Sequence, residues 1–293
     1  MTPESSSVNL ASRETSTYAP VYVSYFNPFY IFRHPQYVPV QAGKASSDND
    51  LEICGDDSGD SISTKNLLYS ELTVLFWVWK NAVETKYVGF CHYRRFFDVL
   101  NKETYPRAFR SFAEDDEAAY GQIPAIDFDK LLANCDLILP IKVVMTHSLR
   151  RNYERNHYSE HYLALEKVIA DDFPAYMESF KAVMEKSNRL PPYNMFLTRW
   201  DCFDGYCTFL FAVLEKLEPQ IKLPEDPSQH RIFGYLSERL LAVFIRQHHL
   251  RVLEYPLLVF NANAKKKSKL VYHVGNCIKN LNFRQKYIWR AGK

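Results

Sequence analysis

An α/β fold is what this sequence predicts, and three observations carry the expectation. Short β-rich runs alternate along the chain with segments of helical periodicity. One compact apolar run, residues 87–91, leads straight into His92-Tyr93-Arg94-Arg95, and α/β sheets present ligand sites beyond the carboxyl ends of their strands. The 293 residues, 47% of them hydrophobic, are enough to bury a sizeable core as one large domain or two small ones.

The elements follow in order. Residues 1–19 are polar and rich in Ser and Thr, without the apolar core of a signal peptide, and are expected to form a disordered leader. Residues 21–25 read as a first strand that opens into a loop at Asn27-Pro28, and residues 38–43 as a second extended piece. An acidic, turn-rich stretch over 46–63 precedes a helix expected over 66–81, where Leu68, Leu72, Leu75, Phe76 and Trp79 recur at three-and-four spacing. A buried strand is expected at 87–91, a helix at 128–134 and a strand at 136–140. The region 148–180 is helical with a break near Pro174, and 194–198 is strand-like. Two strongly apolar helices, 204–217 and 232–248, precede a last extended segment over 252–260.

Charge excludes one class of function. Lys plus Arg total 36 against 34 Asp plus Glu, so no polyelectrolyte character points to nucleic acid. The balance hides an asymmetry: the tail 263–293 carries nine basic residues, from Lys265 to Lys293, and no acidic one, so the remainder holds 27 basic against 34 acidic residues. With Phe283, Tyr287, Ile288 and Trp289 interleaved, this tail reads either as a solvated basic end or as an amphipathic anchor at an anionic membrane surface. The six cysteines form no CxxC pair and read as reduced thiols of a cytoplasmic protein. No run of 18 apolar residues occurs, so the chain is expected to be soluble or peripheral.

Four clusters could carry chemistry, each with a bland alternative. Asp56, Asp57 and Asp60 share a loop with Gly59, Lys65 and Asn66, suited to a ribose or a metal, although acidic turns are common and Ser63 could simply cap a helix. His92, Arg94 and Arg95 at a strand end suit a pyrophosphate, since guanidinium grips phosphate oxygens in a bidentate fork; pairing with the acidic loop is the structural alternative. Glu238 lies between Arg231 and Arg239 on an apolar helix, as an ion network or as a tuned catalytic carboxylate. Tyr153 and His157, at i,i+4 spacing, could meet an acceptor hydroxyl. No P-loop, GxGxxG, HExxH or GxSxG motif occurs, and no DxD is recognised of the kind that holds a divalent metal in many sugar-nucleotide enzymes.

Together these motifs resemble a family of bacterial glycosyltransferases of capsule, exopolysaccharide and O-antigen synthesis, first catalogued as a domain of unknown function. Its DDxGDxIS loop reads here Asp56 to Ser63 followed by Lys65-Asn66. Its YxELTxxxWxWKN segment reads Tyr69 to Asn81, and its YxGxxHYRRxF segment Tyr87 to Phe97. Later elements recur in order: Tyr153 with His157, Asn194-Met195-Phe196, Phe203-Asp204-Gly205-Tyr206-Cys207, and Arg231 through Leu240. Tyr25-Phe26-Asn27 departs from a more usual His-Lys pair, and Ser61 and Ser70 from Asn and Cys.

The resemblance implies a single GT-A-like, Rossmann-like domain over 20–262, with a mixed, mostly parallel central sheet flanked by helices. It also implies transfer of a hexose, galactofuranose or galactose, from a UDP-sugar to a glycan or lipid-linked glycan acceptor, with inversion. Arg94 and Arg95 would stand in for a metal at the leaving diphosphate, together with His92, Asp56, Asp57, Asp60, Lys65 and Asn66 on the donor side; a metal-free mechanism without cofactor is favoured, and a divalent metal is the alternative. Tyr153, His157, Asn194 and Arg231 would face the sugar or the acceptor. For the base that takes the acceptor proton, Glu238 ranks first, Asp204 second and Asp57 third. A non-catalytic, membrane-docked scaffold that binds nucleotide sugars is the competing reading.

Overall fold

The protein is described by a computed structural model that covers residues 19–100 and 109–261. The leader, apart from Ala19, and the whole basic tail fall outside the described residues. In chain order the strands are β1 Val21–Tyr25, β2 Tyr37–Gln41, β3 Cys54–Gly55, β4 Tyr87–His92, β5 Arg95–Phe97, β6 Phe109–Phe112, β7 Leu137–Pro140, β8 Val143–Val144, β9 Arg189–Leu190, β10 Phe196–Arg199, β11 Val252–Tyr255 and β12 Leu257–Phe260. The α-helices are α1 Asn66–Tyr69, α2 Leu72–Asn81, α3 Glu117–Tyr120, α4 Phe128–Leu131, α5 Leu149–Asn156, α6 Ser159–Asp172, α7 Met177–Lys186, α8 Trp200–Leu217 and α9 Ile232–Gln247.

The main sheet runs β11-β7-β10-β4-β1-β2-β3. Neighbours are parallel except at β10, which is antiparallel to both β4 and β7. The carboxyl ends of the other strands on this path therefore share one edge with the amino end of β10. Every residue of β1 is buried, as a central strand covered on both faces requires. Gly89 in β4 has its own reason: a Cβ there would stand 2.7 Å from Leu197 Cδ2 and 2.9 Å from Val21 Cγ2 on the adjacent strands. Strand β5 folds back on β4 and pairs with β12, which also pairs with β6.

Apolar side chains fill both faces. Leu72, Leu75 and Val78 of α2 pack with Leu165, Phe203, Leu210 and Leu240 on the helical side. Val21, Val23, Phe96, Phe97, Phe128 and Leu258 fill the other, where Tyr120 stacks on Phe260 with ring centroids 3.9 Å apart.

The structure departs from the expected elements at identifiable residues. The helix expected over 66–81 breaks at Ser70, whose φ of 51° is left-handed. The Ser70 carbonyl accepts instead from the Asn66 amide at 2.8 Å and the Thr73 hydroxyl at 3.0 Å. The region 148–180 divides into α5, α6 and α7, with an extra break at His157, and continues to Lys186. The last extended segment splits at Pro256, which lacks the N–H needed to continue one ladder. Strands β5 and β6 have no counterpart among the expected elements, and β3 lies inside the acidic stretch read as turns.

Candidate active site

The site forms at the shared edge, where β4 ends and β10 begins. His92, the last residue of β4, is buried, and its Nε2–H donates to the Tyr193 carbonyl. Tyr193 and Asn194, just ahead of β10, are both left-handed, with φ of 73° and 50°. Such a pair costs roughly 1–3 kcal/mol per residue and persists only where its surroundings fix it. Here the Tyr193 N–H donates to Glu238 Oε1 at 2.7 Å, and the Asn194 amide donates to Glu71 Oε1 at 2.8 Å and to the Gly234 carbonyl at 3.3 Å. Arg231 completes the cluster by donating to Glu71 Oε2 at 3.1 Å and, through Nε, to Ser70 Oγ at 2.9 Å. The break at Ser70 thus serves the site: its hydroxyl meets Arg231 while Glu71, the next residue, turns inward.

Two carboxylates in one cluster are held in different states. Burial pushes Glu238 up to about 7, and the charge of Glu71 acts in the same direction against Arg239, the Tyr193 N–H and Arg231. For Glu71 burial also pushes upward, but His92, Arg231 and the Asn194 amide outweigh it and hold the carboxyl below its ordinary value. Burial drives His92 down to about 4, so its ring is neutral at pH 7. Glu71 is therefore a fixed anion, and Glu238 is poised to exchange a proton near neutrality.

Arg94 and Arg95 flank this cluster, each half-buried. The Arg94 guanidinium lies 4.9 Å from the Tyr93 ring centre and that of Arg95 4.2 Å from the Tyr193 ring centre. Neither forms an ion pair among the described residues, so pairing with the acidic loop is not their role. That loop is a brace: buried Asp56 accepts from the N–H groups of Gly43 and Lys44 and from the Ser63 hydroxyl. Asp57 and Asp60 are exposed, and the Asp60 main chain is tied to Asn81. Lys65 pairs with Glu218 at 2.7 Å, and Asn66 caps the break at Ser70. At the end of β1, Phe26 is 46% exposed and meets the Tyr93 ring edge-on.

Other expected residues sit elsewhere. Arg231 pairs with Glu71 rather than Glu238, and buried Arg239 donates to the Tyr235 carbonyl at 2.6 Å and to Asn152 at 3.0 Å, so no Arg231–Glu238–Arg239 clamp exists. Asp204 is exposed on α8 and accepts from the Trp79 indole at 2.8 Å. Trp79 is eight residues along α2 from Glu71, about 12 Å of helix, which separates Asp204 from the cluster. Tyr153 is fully buried beneath Arg239, which closes it to direct acceptor contact, while His157 stacks on Tyr235 and bonds Gln229 at 2.8 Å. Two Asp-x-Asp triplets do occur, Asp48 to Asp50 and Asp127 to Asp129, and both are occupied structurally: Asp50 pairs with Lys44, Asp127 caps α4 and Asp129 pairs with Lys86. No group of three or more His, Cys, Asp or Glu side chains among the described residues could hold a metal ion.

Tyr193 and Glu71 are the site residues to which the sequence assigned no role, although Glu71 lies within the Tyr69 to Asn81 family segment. The signal for the first is Pro191-Pro192 followed by a Tyr-Asn pair, since Asn tolerates a left-handed turn; for the second it is a carboxylate on an otherwise apolar helix.

Residues 20–249 match the family described as a domain of unknown function, DUF4422. The chain belongs to this family. The DUF4422 chain is also similar to the apo structure of WbbM, a bifunctional glycosyltransferase, at 29% identity and a TM-score of 0.75. The likeness covers 83% of this chain and 45% of that one, so the chain spans less than half of that protein's length. No curated protein matches it. The mixed, mostly parallel sheet flanked by helices is thus shared with a glycosyltransferase of GT-A-like architecture.

Proposed function

We propose that this DUF4422 protein is a glycosyltransferase that moves a hexose, galactofuranose or galactose, from a UDP-sugar to a glycan or lipid-linked glycan acceptor, with inversion. The observation that carries the reading is a pair of guanidiniums without carboxylate partners among the described residues, beside a buried carboxylate held near pH 7. Arg94 and Arg95 take the diphosphate and neutralise the charge that grows on it as the sugar–phosphate bond breaks, the task a divalent metal performs in many related enzymes. Phe26 offers its exposed ring to the nucleobase. Glu238 accepts the acceptor's proton as that oxygen attacks the anomeric carbon from the face opposite the leaving UDP. Glu71, fixed by Arg231 and Asn194, keeps Glu238 basic enough for the task. The basic tail would hold the enzyme at the cytoplasmic face of a membrane, near a lipid-linked acceptor.

Purified protein incubated with UDP-, GDP- and dTDP-sugars, with release of free nucleotide recorded, tests this directly. Release from a UDP-hexose is expected; binding without release across the panel would favour the non-catalytic scaffold.

A further inference from the structure

On the same sheet edge, beyond β7, lies a polar groove of about 360 Å³ between the β8 segment and α5. Its chemistry comes from Thr146, His147, Asn152, Arg155 and Asn156, with no aromatic platform. Asn152 joins it to the site, because its side-chain oxygen accepts from Arg239, the neighbour of Glu238 on α9. The second wall runs there too: β8 pairs with β9, and three residues after β9 the chain reaches Tyr193.

Arg155 supplies the permanent charge in the lining of the groove. Arg155 donates to His147 Nε2 at 3.1 Å, and neither Arg155 nor Arg151, one turn earlier on α5, has a carboxylate partner among the described residues. Glu154, the nearest carboxylate in sequence, is held by Arg150 at 2.8 Å. Arg151 and Arg189 are exposed cations next to the lining rather than part of it, Arg189 lying opposite Val144 in the β8–β9 ladder. Amides and a hydroxyl beside a guanidinium that has no carboxylate partner among the described residues match a ligand that is rich in hydroxyls and carries an anionic oxygen group.

We infer that this groove is an acceptor subsite for an anionic glycan, whose charge is a sugar phosphate or a uronate carboxylate. The inference rests on the transfer reading above, and places the acceptor on the side of Glu238 away from the β1 end where Phe26 lies. It also revises the acceptor contacts on α5, from buried Tyr153 to the accessible Asn152, Arg155 and Asn156.

The test measures binding of glucose 1-phosphate, methyl glucuronide and methyl glucoside to full-length protein carrying Arg94→Ala and Arg95→Ala, so that the donor site does not compete. At least one anionic sugar is expected to bind tenfold or more tightly than the neutral glucoside, and the tighter of the two identifies the anion. Arg155→Gln should remove that preference without lowering the melting temperature, since the side chain is exposed. Asn156→Asp, which adds a negative charge to the rim and gives up the amide donor to the Asn152 carbonyl, should also remove the preference. Equal affinity for all three sugars, or a preference unchanged by both substitutions, overturns the subsite. Nucleotide release by the unsubstituted protein is scored separately. Its absence with the preference intact refutes transfer but supports the anionic-glycan site; its presence without the preference refutes the site alone.

Discussion

Replacing Glu238 with Gln should stabilise the protein at alkaline pH while sharply lowering its turnover. The ordinary carboxyl value of 4.5 rises to about 7 in the fold. Between those values the folded chain keeps a proton that the unfolded chain has released, so stability falls as pH rises through this window. At 1.36 kcal/mol per pH unit the full loss is about 3 kcal/mol. His92 works in the opposite sense, because burial lowers it from 6.5 to about 4. From pH 4 to 6.5 the unfolded chain binds a proton that the fold refuses, and stability rises with pH by a similar amount, about 3 kcal/mol. In the unsubstituted protein the two trends offset over their common range, and stability is nearly level there. In Glu238→Gln the rise from His92 stands alone. The amide still accepts from the Tyr193 N–H, though more weakly than a carboxylate, so the net gain at pH 8 is expected at about 1–3 kcal/mol and near zero at pH 4. Turnover should fall about 10²- to 10⁴-fold with little change in donor affinity, as loss of a general base requires. Denaturant titrations from pH 4 to 8, with nucleotide release measured on the same preparation, give both quantities. A variant no more stable than the parent at pH 8, or one that retains turnover, refutes the reasoning.

Arg94→Ala and Arg95→Ala should each weaken transition-state binding by about 2–4 kcal/mol, seen as a fall in kcat/KM with the melting temperature unchanged; normal kinetics in both would end the diphosphate assignment. Transfer should persist in EDTA, and complete loss with rescue by manganese or magnesium would place a metal where the arginines are proposed to act. Gly89→Ala should cost about 1–3 kcal/mol in a chemical denaturation experiment, since its methyl would collide with Leu197 and Val21 across two strand pairs. Replacing Lys265, Lys266, Lys267 and Lys269 by Gln should reduce sedimentation with anionic liposomes at low salt, and equal sedimentation would refute the anchor.

How much of this was legible in the sequence depended on whether the relevant signal was local. The strand running into His92-Tyr93-Arg94-Arg95 could be read, because an apolar run followed by paired cations is a local pattern, and the structure puts it at the edge where β4 ends and β10 begins. Glu238 stood out for a similar reason, as a carboxylate on an apolar helix, but its partners did not: which arginine meets which carboxylate is decided by α9 packing against α1 and by the turn at Ser70. At Asp56 the structure departs from the expectation, because composition does not reveal that this carboxylate would spend its oxygens on two backbone N–H groups and the Ser63 hydroxyl. Strands β5 and β6 were hidden for a different reason, since both depend on pairing with β12, more than 140 residues away in sequence.

Tyr193 serves Glu238 and His92 through its main chain, and only Arg95 through its ring. Selection on this position therefore acts on backbone handedness more than on side-chain identity. A saturation library at residue 193 would sort accordingly: Gly, Asn and Asp, which enter the left-handed region readily, would keep both main-chain hydrogen bonds and lose only the ring contact with Arg95, whereas Val, Ile, Thr and Pro would break them despite lying just outside the strand. Gly, Asn, Asp and Tyr are unlike as side chains, so a search for one invariant letter would discard the position that joins the two halves of the site.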